Sequence, residues 1–411
     1  MGVIGCAAML KHRTLIILYV TAVTVIGNFS TNLYVPSFPT MAVELGATVG
    51  EIQTTLAVFL VTFGIAQLIY GPLSDRFGRR VVLLAGIGVF IAASLGCATA
   101  SDVGSLIAWR IFQASGACAG QVIARAIVRD LFERDETARI MAYVGMATAI
   151  SPATGPLVGG LLHEAFGWTA GFYALGLFGV AIGLVSFFFM GETNPYLSPS
   201  DRPARLLGGY GTLVRSREYL GHVLSASWIL ASIMAWNVGA PFLIIERLGF
   251  SPAEYGLFLT ALSVLGYFPG GYLSSRLSPR LGIARTLGIG SLICFASAAA
   301  FLAFVALGWW SGWALFGPMV VYSVGMALVF PNATAGAIGA HPRIAGTASA
   351  GLGFSHMFLA GVASGTVSLI DVPDPRVFAA VFAVTALFSV LALLLLPRRR
   401  GSVTAADESA M

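Results

Sequence analysis

The sequence predicts an all-α integral membrane protein with twelve transmembrane helices arranged in two six-helix halves. Of the 411 residues, 57% are hydrophobic and only 10% are charged. An ordinary soluble protein has about 25% charged residues, so this composition excludes a soluble globular enzyme. A helix that spans the bilayer needs about 20 apolar residues, and runs of that length recur along the whole chain. The longest polar connection divides these runs into two groups of six.

The twelve candidate spans lie between turn and charge signals. Their approximate limits are 14–36, 54–71, 81–100, 103–125, 139–162, 168–190, 219–245, 253–274, 283–306, 312–338, 345–370 and 376–396. We interpret the first as a retained helix, because eleven spans follow it and no small-residue cleavage pattern ends it. We therefore expect an N-terminal half at 1–190, a cytoplasmic linker at 191–218, a C-terminal half at 219–397 and a cytoplasmic tail at 398–411.

Basic residues predict the orientation of the chain. If the N-terminus is cytoplasmic, 20 of the 23 basic residues fall in inner segments. Only Arg247 and Arg376 lie in outer loops, and Arg110 lies inside a span. By the positive-inside rule, both termini face the cytoplasm. The net charge of +5 is not gathered on one soluble face, so no nucleic-acid partner is expected.

Cysteine spacing indicates neither a disulfide framework nor a zinc site. The four cysteines, Cys6, Cys97, Cys118 and Cys294, are scattered and form no CxxC pair. We interpret them as small packing residues, and we expect no metal or other cofactor.

A short segment recurs after the second span of each half. Segment 71–80 reads GPLSDRFGRR and segment 271–280 reads GYLSSRLSPR, with five identities at an offset of 200. Chance similarity is the alternative, but the shared position favours a six-span repeat. A positive-inside anchor alone would need neither the acid nor the glycines. The first copy closely resembles the signature cytoplasmic loop of the major facilitator superfamily. That resemblance implies a latch that holds the outward-facing state, formed by Gly71, Asp75, Arg76, Gly78, Arg79 and Arg80, with Arg276 in the second copy.

The fourth span contains an intramembrane arginine in the stretch LIAWRIFQASGACAG. Arg110 lies about seven residues, or about 10 Å, from the outer surface. A charge at that depth is costly unless it is paired or hydrated, so it is a functional candidate, with snorkelling to the interface as the alternative. The stretch is similar to the superfamily's span-4 motif, whose arginine is implicated in proton coupling.

The fifth span contains SPATGPLVGG, in which two prolines lie four residues apart. Each proline removes a helix hydrogen bond, and a simple kink is the alternative interpretation. The GPxxGG pattern resembles the motif of the superfamily's antiporters and so implies export. The residues of this motif are Pro152, Gly155, Pro156, Gly159 and Gly160.

Three further stretches narrow the resemblance to one branch. The stretches are YVPSFP at 34–39, ARAIVRDLF at 124–132 and AGTASAGLGF at 345–354. They look like the bicyclomycin and chloramphenicol resistance (Bcr/CflA) branch of drug:proton antiporters, and this resemblance implies a bacterial inner membrane. That branch usually has an aspartate where this chain has Asn32, and an amide cannot exchange a proton. We therefore expect that coupling uses Arg110, Glu246 or His356, or that it was lost. A packed neutral histidine is the alternative for His356.

Polar and aromatic residues near the middle of the spans are candidates for the substrate pocket. Asn28 and Asn32 are four residues apart and share one helix face. Amides are costly in lipid and are expected to face a cavity, whereas the aromatic residues could equally pack or anchor helices. The candidates are Asn28, Asn32, Tyr34, Arg110, Gln113, Tyr143, Trp236, Asn237, Tyr267, Tyr322 and Asn332.

These features favour a monomeric exporter of drugs or small amphipathic metabolites that works by alternating access. The proton gradient is the expected energy source, and a small molecule and the lipid bilayer are the expected partners. An importer or uncoupled facilitator of a small metabolite or siderophore is the alternative that Asn32 favours. A non-transporting receptor accounts less well for the repeat. A membrane-embedded enzyme would need paired acids, HExxH or a nucleophile with a base, and the sequence offers none of these.

Overall fold

The protein is described by a computed structural model at residues 13–194, 203–309, 312–341, 344–369 and 375–397. Within these ranges the chain forms helices, turns and bends, and no strand. Several predicted features lie outside the described residues: Lys11, Cys6, Arg202, Arg343, part of the linker and the tail at 398–411.

Twelve long helices account for the predicted spans. In the described part of the chain, eleven helices are long and apolar enough to cross a membrane: α1 (Thr14–Glu44), α2 (Val49–Phe77), α3 (Arg79–Ala98), α4 (Val103–Leu131), α6 (Thr169–Phe189), α8 (Arg217–Arg247), α9 (Pro252–Leu281), α10 (Ile283–Ala306), α11 (Ala314–Gly339), α12 (Ala345–Ser368) and α13 (Arg376–Leu395). The remaining long helix, α5 (Arg134–Phe166), has 33 residues. A shorter helix, α7 (Pro203–Arg215), lies within the predicted linker. The all-α, twelve-helix prediction is confirmed.

The packing explains how these helices suit a bilayer. Helices satisfy their backbone hydrogen bonds internally, which hydrocarbon requires. Large apolar side chains are exposed on the outer surface, for example Leu177, Phe188 and Leu292. Hereafter α1–α6 are the N-terminal half and α8–α13 the C-terminal half. We call the end of the helix bundle that contains Gly78 and the start of α12 the arginine-rich end. We call the other end of the bundle the opposite end.

Several helices extend beyond the predicted limits, because hydropathy detects only residues at hydrocarbon depth. The second span was predicted to end at 71, but α2 continues to Phe77. The latch segment is therefore mostly helical, and the prediction that it is a loop is wrong from Gly71 to Phe77. The reversal occurs at Gly78, whose φ of 93° favours glycine. α1 also continues past its predicted end, through a 3₁₀ turn at Val35–Ser37 into a short helix at Phe38–Glu44.

The same reversal corrects the register of the repeat. In the C-terminal half, α9 ends at Gly282, whose φ is 83°. Gly78 and Gly282 are 204 residues apart, one helical turn more than the predicted offset of 200. In this register Arg280 corresponds to Arg76, and Pro279 takes the place of Asp75. The predicted correspondence between Arg276 and Arg76 of the latch segment is therefore wrong, because the positive-φ glycines fix how the two turns align.

Two helix pairs join the halves closely. α2 packs along α12, where a Cβ added at Gly64 would lie 3.2 Å from Met357 Cβ. α5 packs along α9, where a Cβ at Gly256 would lie 2.5 Å from the Pro156 carbonyl oxygen. Small residues at these positions allow the backbones to approach.

Two helices of the C-terminal half contain π-helical segments. Phe242–Arg247 ends α8, and Ser263–Tyr267 interrupts α9. Single π turns inside helices are frequent at functional sites, and the second segment lies on the cavity described next.

Candidate substrate cavity

A cavity of about 350 Å³ lies between the halves, near the middle of the helices that form it. Six helices line it: α1 and α5 from the N-terminal half, and α8, α9, α11 and α12 from the C-terminal half. A volume of this size is typical of a small-molecule site. The lining residues with polar atoms are Asn28, Asn32, Thr148, Trp236, Asn237, Ser263, Tyr267, Ser323 and His356.

The N-terminal wall offers amide and hydroxyl groups. Asn32 Nδ2 donates to the Asn28 carbonyl oxygen at 2.7 Å and to Thr31 Oγ1 at 3.2 Å. Thr148 Oγ1 donates to the Gly145 carbonyl oxygen at 2.8 Å. These groups use their protons within their own helices, so they present mainly acceptor lone pairs to a ligand.

The C-terminal wall holds two buried nitrogen atoms whose partners are missing. Trp236 is 1% exposed and stacks on Phe258 at 6.3 Å. Neither Trp236 Nε1 nor His356 Nε2 has a hydrogen-bond partner among the described residues. Most buried polar atoms in proteins are hydrogen-bonded, so these two atoms are candidates for binding a polar ligand. The indole N–H can only donate.

Arg110 lies behind the cavity wall rather than in it. Its guanidinium is fully buried between the rings of Tyr34 and Phe59, at 4.2 and 4.1 Å from their centroids. Nη1 donates to the Ser30 carbonyl oxygen at 3.0 Å and to Gln113 Oε1 at 2.6 Å. Ser30 is in α1, which separates Arg110 from the cavity, and Nε and Nη2 have no partner among the described residues.

The structure does not bring the other predicted pocket residues to the cavity. Gln113 supports Arg110 and donates to Ser94 Oγ at 2.9 Å. Tyr322 is buried and donates to the Ile229 carbonyl oxygen at 3.1 Å. Asn332 binds Ser274 and Ser278, and Tyr143 is 42% exposed. Glu246, which was predicted as a proton-coupling residue, is exposed at the far end of α8.

The predicted antiporter motif of α5 closes the opposite end of the interface. Pro152 lines the cavity, and a Cβ at Gly155 would lie 2.9 Å from Asn32 Cβ. A Cβ at Gly159 would overlap the Leu33 carbonyl oxygen, and one at Gly160 would overlap that of Pro252. The helix continues through both prolines. The glycines therefore allow α5 to contact α1 and α9 at once.

Further contacts between the halves seal the same end. Gln53 Nε2 donates to the Val238 carbonyl oxygen at 3.2 Å, and the rings of Phe38 and Phe242 lie 6.4 Å apart. Glu164 accepts from the Ala253 backbone N–H at 3.1 Å, at the start of α9. An acid is favourable at a helix N-terminus. Because Glu164 belongs to α5 and Ala253 to α9, this contact links the two halves.

The predicted latch forms an ion cluster inside the N-terminal half. Arg79 is 4% exposed, and it pairs with Asp75 at 2.6 Å and with Asp130 at 3.0 Å. Arg76 is exposed and stacks on Phe77 at 5.2 Å, and Arg80 donates to the Phe187 carbonyl oxygen at 2.8 Å. These two ion pairs join α2, α3 and α4, and neither crosses to the C-terminal half.

Arg276 and Gly71 lie apart from this cluster. Arg276 Nη2 donates to Tyr272 Oη at 2.9 Å in its own helix. A Cβ at Gly71 would meet no atom within 4 Å, so that glycine does not serve close packing here.

A second cavity, of about 410 Å³, lies between the halves at the arginine-rich end. Arg125 and Arg129 of α4 line it together with the Asp75–Arg79 pair, Tyr210 of the linker helix and the first turn of α12. Arg125 Nη1 donates to Ser349 Oγ at 3.5 Å across the interface. In the described residues, the halves therefore leave an arginine-lined space at this end and seal the other.

Sequence reasoning missed two acidic residues of the latch region. Asp130 belongs to the ARAIVRDLF stretch, and its place beside Arg129 at the end of a span was a usable signal. Glu192 accepts from the backbone N–H groups of Arg79 and Arg80 at 2.9 and 3.1 Å. It caps the start of α3 from 113 residues away, so nothing in its local sequence marked it. In the cavity, Thr148, Ser263 and Ser323 were also missed, because mid-span hydroxyls are common.

Twelve membrane-spanning helices, two related turns and a mid-depth cavity shared by both halves define a multi-pass membrane transporter. In the described residues, no group of three or more His, Cys, Asp or Glu side chains could hold a metal ion.

Comparison with known proteins identifies the family. The Major Facilitator Superfamily profile matches residues 20–365, so this chain belongs to that superfamily. Multidrug resistance protein D of Escherichia coli (strain K12) is 32% identical over 369 residues, covering 88% of this chain and 89% of that protein. The Chloramphenicol resistance protein of Pseudomonas aeruginosa is 31% identical over 394 residues, covering 94% and 91%.

A solved structure agrees on the fold. That of a D-xylose-proton symporter matches with a TM-score of 0.74 at 14% identity, covering 93% of this chain and 97% of that one. The predicted superfamily and its drug-resistance branch are confirmed. The chain is a transporter and not an enzyme.

Proposed function

We propose that this transporter exports drugs or small amphipathic metabolites by alternating access. The observation that carries the proposal is the cavity between the halves, where two buried nitrogen atoms of Trp236 and His356 have no protein partner among the described residues. Apolar side chains such as Met234 and Phe330 complete the lining. The names of the two relatives, which refer to multidrug and chloramphenicol resistance, support export.

Drug susceptibility in a pump-deficient bacterium tests export. Expression of the protein is expected to raise the minimal inhibitory concentration of chloramphenicol or of other compounds in a panel. Trp236→Phe keeps an aromatic ring but removes the indole N–H, so resistance is expected to fall severalfold. Trp309→Phe, at an exposed position of the opposite end, is the matched control and should keep resistance. Increased sensitivity to the whole panel would instead favour uptake.

We infer that the arginine-rich end faces the cytoplasm and that both termini lie there. The positive-inside distribution supports this orientation, and the cavity lined by Arg125 and Arg129 then provides the cytoplasmic entry to the site. A fluorescent protein fused after the last residue should fluoresce inside the cell. Alkaline phosphatase at the same position should be inactive, and the reverse result would overturn this orientation.

We propose that the proton gradient drives export and that His356 carries the proton. His356 contributes an imidazole to the cavity lining, its Nε2 has no hydrogen-bond partner among the described residues, and an imidazole can bind and release a proton. In vesicles, counter-transport should follow an imposed pH gradient in the wild type but not in His356→Gln. Glu246→Gln tests the exposed acid of α8, and Arg110→Gln tests the charge behind the wall. Unchanged coupling in all three variants would assign the proton elsewhere.

The alternative is an importer or an uncoupled facilitator of a small metabolite or siderophore. It is favoured by the cavity lining, which contains no aspartate or glutamate in the part of the chain that the structure describes. Substrate flux in vesicles that ignores the pH gradient would support a facilitator. We further propose that the transporter works as a monomer, which light scattering of the purified protein would test.

A further inference from the structure

The charges around the cavity limit what it can bind. Among the described residues, the lining contains amides, hydroxyls, an indole, a phenol and an imidazole, but no acidic side chain. Among the described residues, the buried charged side chains are Arg79 and Arg110, and no buried aspartate or glutamate accompanies them. A cation that enters this cavity therefore loses its water without gaining a negative partner.

Positive charges lie on two sides of the cavity. Arg110 donates to the Ser30 carbonyl oxygen of α1, while Asn28 and Asn32 of the same helix line the cavity. One helix diameter, about 10 Å, therefore separates this guanidinium from a bound ligand. At the arginine-rich end, the second cavity presents Arg125 and Arg129. The nearby Arg79 pairs with both Asp75 and Asp130, so this cluster adds no positive charge.

The hydrogen-bonding groups of the cavity lining favour a polar ligand that is uncharged. Trp236 Nε1 needs an acceptor, because it has no partner and can only donate. The hydroxyls of Ser263 and Ser323 donate to the carbonyl oxygens of Leu259 and Met319, at 3.2 and 2.9 Å, so they offer acceptors in return. Such a set suits carbonyl, amide and hydroxyl groups on an otherwise apolar molecule.

We propose that the cavity selects uncharged amphipathic molecules with hydrogen-bonding groups, and that Arg110, Arg125 and Arg129 exclude permanent cations. The proposal rests on the proposed export function, since it names the substrate class of the same site. Its physical basis is the absence of an acid in the lining together with the three arginines around it.

Two probes of matched shape test this selection. Triphenylphosphine oxide is uncharged, and methyltriphenylphosphonium is a cation of nearly the same size, with a methyl group in place of the oxygen. Binding is measured by Trp fluorescence on the purified full-length protein in lipid nanodiscs. The oxide is expected to bind at least about tenfold more tightly, because a like charge at about 10 Å and the missing acid oppose the cation.

Introduction of an acid should reduce the preference for the uncharged probe. In Asn32→Asp, binding of the phosphonium is expected to strengthen about tenfold at about pH 8.5, well above the usual pKa of aspartate. Asn237→Asp places the acid on the facing wall and should act in the same direction if the first variant does not fold. Ser101→Asp, in the exposed turn between α3 and α4, is the control and should leave both affinities unchanged.

The outcomes separate this inference from the proposed function. Equal binding of the two probes by the wild type, a preference for the cation, or no binding of the oxide would overturn the selection. A folded Asn32→Asp or Asn237→Asp protein with unchanged phosphonium binding would overturn it as well. If cells export none of the compounds tested while the binding preference holds, the export function fails and the selection stands.

Discussion

The corresponding turns of the two halves have the same backbone but different chemistry. At Gly78 the reversal is surrounded by charges: Arg79 bridges Asp75 and Asp130, and Glu192 caps the next helix. At Gly282 the neighbouring cluster is neutral. There Asn332 donates to Ser274 Oγ at 3.1 Å and accepts from Ser278 Oγ at 2.8 Å. The positive φ is common to both halves, whereas the ion pairs belong to one.

This difference extends through each half. The N-terminal half buries Arg79 and Arg110, whereas no charged residue of the C-terminal half is buried within the described ranges. The C-terminal half contributes most of the polar cavity lining, including Trp236 and His356. A transporter of this kind can therefore separate its fixed charges from its ligand-binding surface.

The largest effect is expected from breaking the charged cluster. Arg79→Gln leaves Asp75 and Asp130 without their cation, and Asp130 is only 11% exposed. Loss of one partner of a buried ion pair destabilises by about 3 to 5 kcal/mol. The apparent melting temperature in detergent should fall clearly. Arg280→Gln, at an exposed position of the other turn, is the control, and an equal loss there would contradict the asymmetry.

A smaller effect is expected from the neutral cluster. Asn332→Ala removes hydrogen bonds to Ser274, Ser278 and the Leu328 carbonyl oxygen. An unsatisfied buried polar group costs about 1 to 3 kcal/mol, so the melting temperature should fall by less than in Arg79→Gln. A thermal scan of both variants in the same detergent checks the order. A greater loss in Asn332→Ala would reverse the comparison.

Substitutions of Gly78 and Gly282 test the backbone conformation that the two turns share. An L-residue with a positive φ and an extended ψ, as at Gly282, costs about 1 to 3 kcal/mol. Gly282→Ala should therefore destabilise by about that amount, with open space around it. Gly78→Ala should cost more, since its Cβ would also displace the Glu192 carboxylate. Thermal scans of the two variants should therefore differ. Identical losses would show that Glu192 contributes little to the turn.

The smallest effect is expected at Asp102, which caps α4 of the N-terminal half. Hydrogen bonds from the Ser105 backbone N–H hold the pKa of this carboxyl below its ordinary value. The cap therefore contributes stability above the unfolded pKa and loses it as pH falls through the lower, folded pKa. Asp102→Asn should remove only this acid-side dependence, because asparagine also caps helices. Melting scans between about pH 3 and pH 7 check this, and an unchanged acid-side slope would contradict it.

The sequence was informative where one physical rule dominates. Hydrophobicity alone predicts the number and order of the helices, because each must span the same thickness of hydrocarbon. It misplaced their ends, since α2 runs to Phe77 through a charged segment that hydropathy treats as a loop. The repeat register slipped by one turn for a related reason: side-chain identities were compared without the φ of Gly78 and Gly282.

The cavity was predictable only in part. Asn28 and Asn32 line it, and their spacing placed them on one face. Tyr34 and Gln113 looked equally suitable, but they pack around Arg110, which only the arrangement of α1, α2 and α4 determines. Glu192 and Asp130 contact Arg79 from distant parts of the sequence. No local pattern could therefore predict these two contacts.

Arg110 also has an electrical consequence. Its charge is buried between aromatic rings and is fixed to α1 through Ser30, so it travels with the N-terminal half. Moving one elementary charge through the full membrane potential involves about 2.3 kcal/mol per 100 mV. In an alternating-access cycle, even a fractional displacement would make one reorientation faster and its reverse slower when the membrane is polarised. Because Arg110 returns to its starting position, voltage would change the rates of the cycle without adding to the charge it transports.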